Sequence, residues 1–323
     1  MNLIEVSELF PTELEAVQHF EKMRWGKKPK CPYCESAKVW KRSNDMRFLC
    51  KECKNSFSVT VNTQLHNTRL PLKTWLFAFS LVSDAKKGVS ALQLQRNLSV
   101  SYPTAWAMGH KMRELMIMEN EEIRLEGVVE MDETFVGGKP RKMGNPDYPQ
   151  KRYEDLDEQI EELEEKGHSF ERNRKNPAIP AVNPKTGGAD KQKVAGIVQR
   201  NGDVVAEVLT NLKFVELKKM VEKYVDEKDS VLVTDAYVGY KSMNKIIDHI
   251  AIDHQKLYSY RNVNTNSIES FWAIVKRGIM GQYHAVSARH LPNYIAEFVF
   301  KYNNRKDDDM FVTLVRNSMT PLA

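Results

Sequence analysis

The sequence lacks an apolar run long enough to span a lipid bilayer. Its first residues, MNLIEVSELF, also lack the basic and then apolar layout of a secretory signal peptide. Hydrophobic residues make up 41% of the 323 residues and charged residues 28%, which is typical of globular domains. The sequence therefore predicts a cytoplasmic protein with no membrane partner and with room for roughly two or three domains.

Cysteine is scarce, and all four cysteines lie in one short segment. Cys31 and Cys34 form one C-x2-C pair, and fifteen residues separate it from a second pair, Cys50 and Cys53. In a reducing cytoplasm this spacing indicates a tetrahedral zinc site rather than a disulfide framework. No cysteine remains elsewhere for redox or nucleophilic chemistry. The pattern predicts a structural zinc ribbon, with short strands near 38–41, 47–49 and 57–61 and a helix before it from Pro11 to Trp25.

Acidic residues are absent from positions 85–113, which hold five Lys or Arg residues. Positions 22–54 are also basic, with eleven Lys or Arg residues against three acidic ones. Local positive fields of this kind favour nucleic acid as a partner, although the net charge of the chain is only +5. Solvated surface charge is the alternative interpretation for either segment taken alone.

The second basic segment has the pattern of a helical domain. One helix is predicted to begin at Pro71, a second at the N-cap Ser90, and a third to run from Tyr102 or Pro103 through Leu115. The short turn between the last two helices favours a helix-turn-helix, whose second helix would enter the major groove of DNA. A plain helical linker domain is the alternative. The candidates for DNA contact are Tyr102, Thr104, Ala105, His110, Lys111 and Arg113.

From position 125 the pattern changes to strands. A β-branched run at 128–136 is followed later by strand signals at 194–198 and 204–209, which flank an Asn201-Gly202 turn. A helix near 214–225 and a buried-type strand at 230–235 complete a mixed α/β sheet. Positions 139–190 carry six of the thirteen prolines and an acidic, helical piece at 154–165, so they are predicted to form a partly flexible insertion.

An amphipathic helix is predicted to begin near Asn264. Its apolar residues recur at helical spacing, and Glu269 and Lys276 project two turns apart from the other edge. Taken alone, these two residues would form an ordinary surface pair. Together with Asp132 on the first strand and Asp235 at the end of the buried-type strand, Glu269 suits a site for two Mg²⁺ ions. Such a site can promote phosphoryl transfer without a nucleophilic side chain.

The sequence resembles the bacterial insertion-sequence DDE transposases that begin with a transposase zinc ribbon. The shared motifs are Cys31 to Cys53, Met131 to Lys139, Val233-Thr234-Asp235, and the run from Asn264 to Arg305. The similarity covers most of the chain apart from 139–190 and the last dozen or so residues. One departure concerns the zinc knuckles, where Glu35 and Lys54 replace the Gly that usually follows each cysteine pair.

The resemblance implies a multidomain chain. It comprises an N-terminal helix with a zinc ribbon (1–65), a helix-turn-helix-like domain (66–122), an α/β RNase H-like catalytic domain with a mixed sheet (123–306, insertion about 139–190) and a tail (307–323). It further implies that Asp132, Asp235 and Glu269 bind two Mg²⁺ or Mn²⁺ ions, with Asn266 as a rival to Glu269. Lys276 would follow as the basic residue of the catalytic set, and Arg277 is a DNA-binding candidate.

The implied function is transposition. The protein would bind double-stranded DNA at terminal inverted repeats, cleave the 3′ ends and join them to target DNA. Synapsis of two ends implies a dimer or a higher oligomer. The alternatives are an RNase H-like nuclease that cuts without joining, and a domesticated DNA-binding regulator, which would have no need of four intact catalytic residues.

Overall fold

The computed structural model describes residues 1–42, 45–118, 123–137, 165, 191–252, 264–306 and 310–322. The chain divides into two units, Met1–Val136 with Gln192–Ala323, and Gly137–Lys191. The predicted insertion at about 139–190, including its acidic helix, lies outside the described residues except for Glu165.

The chain opens with helices α1 (Leu3–Leu9) and α2 (Glu13–Trp25). The predicted helix near Pro11 to Trp25 is confirmed as α2, where Thr12 and Glu15 form a capping box. Helix α1 was not predicted. The ribbon follows as an antiparallel sheet in the order β1-β2-β3, built from Val39–Lys41, Phe48–Cys50 and Ser56–Phe57. Its third strand is therefore shorter than predicted.

Three helices follow the ribbon: α3 (Leu72–Asp84), α4 (Ala91–Leu98) and α5 (Tyr102–Ile117). Their positions confirm the predicted helical segment. The Ser90 side chain caps α4 by accepting from the backbone N–H of Gln93, and Ser101 caps α5 by accepting from that of Thr104. Ser99 lies between the two helices in the left-handed region, with φ 52° and ψ 38°. The assignment of α4 and α5 to a helix-turn-helix, and its DNA-binding role, remain predictions.

The next part of the chain forms a five-stranded mixed sheet in the order β6-β5-β4-β7-β8. Strands β4, β5 and β6 pair antiparallel, whereas β7 pairs parallel with β4 and β8 pairs parallel with β7. This arrangement confirms the predicted mixed sheet, although β8 was not predicted. The strands are β4 (Leu125–Val136), β5 (Gln192–Gln199), β6 (Val204–Leu209), β7 (Val225–Asp235) and β8 (Asp248–Ile252).

Helices cover both faces of this sheet. Helix α6 (Phe214–Tyr224) packs through Leu217 and Val221 on one face. The other face is covered by α7 (Asn266–Gly278), a π-helical turn (Ile279–Tyr283) and α8 (Leu291–Asn303). The predicted apolar stripe of α7 is confirmed, because its members are all buried: Ile268, Phe271, Trp272, Val275 and Ile279.

The C-terminal residues 307–323 were predicted to form a tail, and this prediction was wrong. Residues Met310–Ser318 form helix α9, which buries Phe311, Leu314 and Val315 in the same core as α3 and α5. The backbone N–H of Leu322 also donates to the carbonyl of Asn62. The apolar residues of α9 thus complete a core shared with α3 and α5. No helix in the described part of the chain is long and apolar enough to cross a membrane.

A buried ionic cluster joins α5 to α8. The Glu297 carboxylate accepts from Arg113 Nε at 2.8 Å, from Lys301 Nζ at 2.6 Å and from Tyr283 OH at 2.9 Å. Glu297 is 1% exposed, and the Arg113 guanidinium lies 3.8 Å from the centre of the Tyr294 ring. Burial would raise the pKa of Glu297, but Lys301 and Arg113 outweigh it and hold the pKa at about 2. The ionised carboxylate is therefore the form that stabilises the fold.

We expect Glu297→Gln to lower the free energy of unfolding by about 3–5 kcal/mol at pH 7, because two buried cations lose their counter-charge. The folded pKa of Glu297 lies below its unfolded value, so this stabilisation is complete above about pH 4.5 and is lost as the pH falls towards 2. Urea denaturation at several pH values measures the difference. Glu114→Gln, in the exposed pair of Lys111 and Glu114, is the control and should cost less than about 1 kcal/mol. Equal losses in both variants would contradict the prediction.

Candidate active site and zinc centre

The four cysteine sulfurs of the ribbon converge on one point. Cys31 Sγ lies 3.6 Å from Cys53 Sγ, Cys34 Sγ lies 3.6 Å from Cys50 Sγ, and all four lie within 4.8 Å of one another. A tetrahedral zinc ion with Zn–S bonds of about 2.3 Å requires sulfurs about 3.8 Å apart. The arrangement therefore fits a structural zinc ion held by these four thiolates.

Both zinc knuckles adopt the backbone conformation that usually favours Gly. Glu35 has φ 57° and Lys54 has φ 60°. Their backbone N–H groups donate to the carbonyls of Cys31 and Cys50, at 2.9 and 3.1 Å. The left-handed conformation costs a non-Gly residue about 1–2 kcal/mol. The departure from Gly thus leaves the knuckle geometry intact.

Three carboxylates meet on the mixed sheet. Met131 of β4 pairs with Thr234 of the parallel strand β7, so Asp132 and Asp235 follow side by side on adjacent strands. The carboxylate oxygens of Asp132, Glu133 and Asp235 lie within 4.8 Å of one another. Clustered carboxylate oxygens are the hard ligands that Mg²⁺ and Mn²⁺ prefer, so these residues are suitable for holding a divalent cation.

Glu133 was not predicted as a site residue. Its carboxylate accepts a hydrogen bond from Tyr240 OH at 2.7 Å, and Tyr240 is buried. Asp235 Oδ1 is held by the backbone N–H of Tyr237 at 3.0 Å. The segment just after β7 therefore orients both carboxylates. The signal in the sequence was the direct adjacency of Glu133 to Asp132.

The site resists a build-up of negative charge. Burial raises the pKa of Asp132 to about 6, and the charges of Asp235 and Glu269 raise it as well, against the effect of Lys276. Burial likewise raises the pKa of Glu133 to about 7, although the Tyr240 hydrogen bond opposes the shift. Full ionisation of the group is therefore unfavourable without a cation, which is the electrostatic condition that favours metal binding.

The remaining predicted catalytic residues lie on α7. Glu269 accepts from Thr265 Oγ1 at 3.1 Å, and it is not part of the three-carboxylate group. Its charge and that of Lys276 still act on Asp132. Lys276 is exposed, and Asn266, the rival to Glu269, is exposed at the first residue of the helix. The structure thus brings Asp132 and Asp235 together directly and places Glu269 and Lys276 on the facing helix.

The predicted DNA-contact residues fall into different environments. Arg113 is 5% exposed and paired with Glu297, so the structure contradicts its assignment to a DNA surface. Lys111 bonds Glu114 at 3.0 Å and Gln64 at 3.3 Å. Ala105 and His110 are buried, Tyr102 and Arg277 are exposed, and half-buried Thr104 shares a hydrogen bond with Ser101.

We expect Asp132→Asn to be more stable than the wild type at pH 8, in zinc-loaded protein without Mg²⁺ or Mn²⁺. The folded pKa of Asp132, about 6, exceeds its ordinary value of 3.8, so its contribution to stability is complete below about pH 3.8 and is lost as the pH rises to 6. The advantage of the variant should therefore be about half as large at pH 5 as at pH 8. Thermal denaturation at both pH values measures it, with exposed Glu126→Gln on the same strand as control. A pH-independent advantage would contradict this account.

Two family models match the chain. The model described as "ISXO2-like transposase domain" matches residues 124–303, which contain Asp132, Asp235 and Glu269. The model described as "Transposase zinc-ribbon domain" matches residues 11–56, which contain the four cysteines.

A curated relative and two solved structures are also similar. The Halobacterium salinarum (strain ATCC 700922 / JCM 11081 / NRC-1) "Uncharacterized protein in transposable element ISH50" is 28% identical over 142 residues, which are 42% of this chain and 47% of that protein. The match thus spans about half of the relative. The solved structure described as "Crystal structure of a pre-cleavage Mos1 transpososome" is 9% identical to this chain, with a TM-score of 0.27. The match covers 76% of this chain and 79% of that one. The solved structure described as "Crystal structure of the Mos1 Strand Transfer Complex" is 11% identical, with a TM-score of 0.28. That match covers 76% of this chain and 74% of the other. Scores this low carry no argument about fold or function.

The family matches are the basis for identification. The transposase model covers more than half of the chain and contains its carboxylate group, and the ribbon model covers the metal-binding cysteines. The chain belongs to the ISXO2-like transposase family, whose members are insertion-sequence DDE transposases, and it carries the transposase zinc ribbon at its N-terminal side.

Proposed function

We propose that this transposase binds the terminal inverted repeats of its element, cleaves their 3′ ends and joins them to target DNA. The observation that carries the proposal is the meeting of Asp132, Glu133 and Asp235 within 4.8 Å inside the region matched by the transposase model. Clustered carboxylates of this type suit phosphoryl transfer, which needs metal ligands and no nucleophilic side chain.

In this proposal Asp132, Asp235 and Glu269 hold two Mg²⁺ or Mn²⁺ ions. Bound ions would activate the attacking hydroxyl or water and stabilise the leaving oxygen. Glu269 is preferred to Asn266 because a carboxylate is the stronger ligand and because its charge acts on Asp132. Glu133 adds a further oxygen donor to the group and is kept in place by Tyr240.

Exposed basic residues beside the carboxylates would bind the DNA backbone. Lys276 lies in the last turn of α7, and its charge lowers the pKa of Asp132, so a phosphate bound by Lys276 would lie in the neighbourhood of this carboxylate. Arg277, also exposed, would extend this contact along the strand. Neither side chain is buried in the core, so both remain available to a ligand.

The proposed domain organisation follows the implied one. The ribbon lies within 1–65, the helix-turn-helix within 66–122 and an RNase H-like catalytic domain within 123–306. On the recognition helix α5, Thr104 and Lys111 remain candidates for DNA contact, because both side chains are at least partly exposed. Joining two ends in one event would require a dimer or a higher oligomer on DNA.

Product analysis tests this function. Purified protein, Mg²⁺, a duplex carrying the terminal repeats that flank the gene, and a target plasmid should yield nicked ends and joined products. Pre-cleaved ends that terminate in a 3′-dideoxy nucleotide should bind but not join, because the attacking hydroxyl is absent. Cleavage without joining would instead support a nuclease, and binding without cleavage a regulator.

A further inference from the structure

A carboxylate outside the predicted catalytic set is completely buried beside the site. Glu130 lies on β4 two residues before Asp132 and is 0% exposed. Its Oε2 accepts from the backbone N–H groups of Ser267 at 2.8 Å and Ile268 at 3.2 Å. Its Oε1 accepts from Ser267 Oγ at 3.1 Å and from Arg200 Nε at 2.7 Å. Three of the four donors belong to α7, so this buried carboxylate links β4 to α7 through charge-assisted hydrogen bonds.

These bonds supply the cap that α7 lacks locally. The first backbone N–H groups of a helix have no partner within it, and the N-cap residue Thr265 makes no side-chain cap. Ser267 and Ile268 are the second and third residues of α7, so Glu130 satisfies two of these groups from another element. Its negative charge also lies at the positive end of the helix dipole. The start of α7 is therefore anchored to the strand that carries Asp132.

Arg200 completes the anchor from the β5–β6 turn. Its Nε pairs with Glu130, and its Nη2 donates to the carbonyl of Asn264 at 2.8 Å, just before α7. The backbone N–H of Arg200 donates to the carbonyl of Val128 on β4 at 3.0 Å. One side chain thus ties the central strand to the segment that leads into the helix.

Helix α7 packs tightly on β5 close to this anchor. Gly196 of β5 pairs with Asp132, and a Cβ at this position would lie 2.8 Å from the Trp272 ring and 3.1 Å from Ile268 Cδ1. Both side chains belong to α7 and are buried. At Gly196, the cross-strand partner of Asp132, α7 therefore packs so closely on the sheet that a Cβ would not fit unless the Trp272 ring moved.

We propose that Glu130 and Arg200 are positioning residues that fix Glu269 relative to Asp132 and so set the affinity of the carboxylate site for divalent metal. The inference rests on the proposed function. Glu269 directly follows Ile268, whose backbone N–H donates to Glu130. A shift of this first turn of α7 would therefore displace Glu269 relative to Asp132. Neither Glu130 nor Arg200 is placed among the metal-binding or DNA-binding residues.

Mn²⁺ binding to the zinc-loaded protein tests the proposal without relying on activity. In Glu130→Gln the side chain keeps its size but loses its charge and one acceptor oxygen. Mn²⁺ affinity, measured by the electron paramagnetic resonance signal of free Mn²⁺, should fall about tenfold or more, equivalent to about 1.4 kcal/mol. The Mg²⁺ concentration for half-maximal joining should rise in parallel, while binding of end DNA is unchanged.

Val205→Ala is the control for general loss of stability. Val205 is buried in the core on the opposite, α6-covered face of the sheet, so its truncation destabilises the domain without touching α7. This variant should keep the wild-type Mn²⁺ affinity. An equal loss of affinity in Val205→Ala would show that Glu130 acts only through stability and would overturn the proposal.

The remaining outcomes are also decisive. Unchanged Mn²⁺ affinity in folded Glu130→Gln overturns the positioning role while leaving the proposed function intact. If that variant does not fold, Ser267→Ala removes one donor to Glu130 and should weaken Mn²⁺ binding about threefold. Unchanged affinity in Ser267→Ala would then overturn the role. Wild-type protein that binds no Mn²⁺ would instead remove the metal site of the proposed function itself.

Discussion

Asp132→Asn is expected to abolish joining of transposon ends to target DNA, lowering the single-turnover rate by at least about a thousandfold. A factor of this size corresponds to about 4 kcal/mol of lost transition-state stabilisation, which is a reasonable share for a metal ligand. The substitution keeps the shape of the side chain and removes its charge from a group whose oxygens lie within 4.8 Å of one another. Asp235→Asn and Glu269→Gln should have similar effects.

The expected loss must be separated from a loss of DNA binding or of folding. Fluorescence anisotropy with labelled end DNA should give wild-type affinity for all three variants, because the proposed DNA-contact side chains are unchanged. Glu126→Gln is the matched control, since Glu126 is exposed on the same strand as Asp132. Near-normal joining by Asp132→Asn, Asp235→Asn or Glu269→Gln would remove that residue from the catalytic set.

The strand-borne part of the site could be predicted because it depends on local pattern. Asp132 and Asp235 interrupt or end β-branched runs, and such runs form adjacent strands in the sheet. Glu133 was missed because the period of two assigns neighbouring residues to opposite faces, and that rule ignores side-chain length. Its carboxylate nevertheless lies within 4.8 Å of those of Asp132 and Asp235.

Two buried contacts between distant parts of the chain were not predicted. Arg113 was predicted to be an exposed basic residue on a recognition helix. It is buried instead, because it pairs with Glu297, which lies 184 positions away in the sequence. Glu130 lies within the strand predicted at 128–136 and was given no role, whereas its partner Ser267 is 137 positions away. A single sequence shows the period of each element, but not which elements pack together. Both errors concern charged residues whose burial depends on such a partner.

Zinc removal is expected to unfold the ribbon, because the metal replaces most of a hydrophobic core. The ribbon core consists of Cys31, Phe48, Cys50 and Phe57, so two of its four buried residues are themselves zinc ligands. Its three strands span only three, three and two residues. Structural zinc sites of this type contribute about 10–16 kcal/mol of apparent binding free energy at pH 7, which few apolar contacts can replace.

Unfolding should stop at the boundary of the ribbon. Helix α2 buries Ala16, Val17 and Phe20 in the core shared with α3 and α5, and that core contains no zinc ligand. Chelation should therefore open new tryptic sites between about 27 and 54, at the Lys and Arg residues there, and leave α2 protected.

Limited proteolysis followed by mass spectrometry checks this outcome, and added Zn²⁺ should restore protection. Cys34→Ser should behave like chelated protein, because it removes one of the four sulfurs that lie within 4.8 Å of one another. Lys51→Ala, an exposed change inside the second knuckle, keeps the ligand set and should digest like the wild type. An unchanged digestion pattern after chelation would mean that the ribbon folds without metal. Cleavage within α2 would mean that the helix depends on the ribbon rather than on the core of the helical domain.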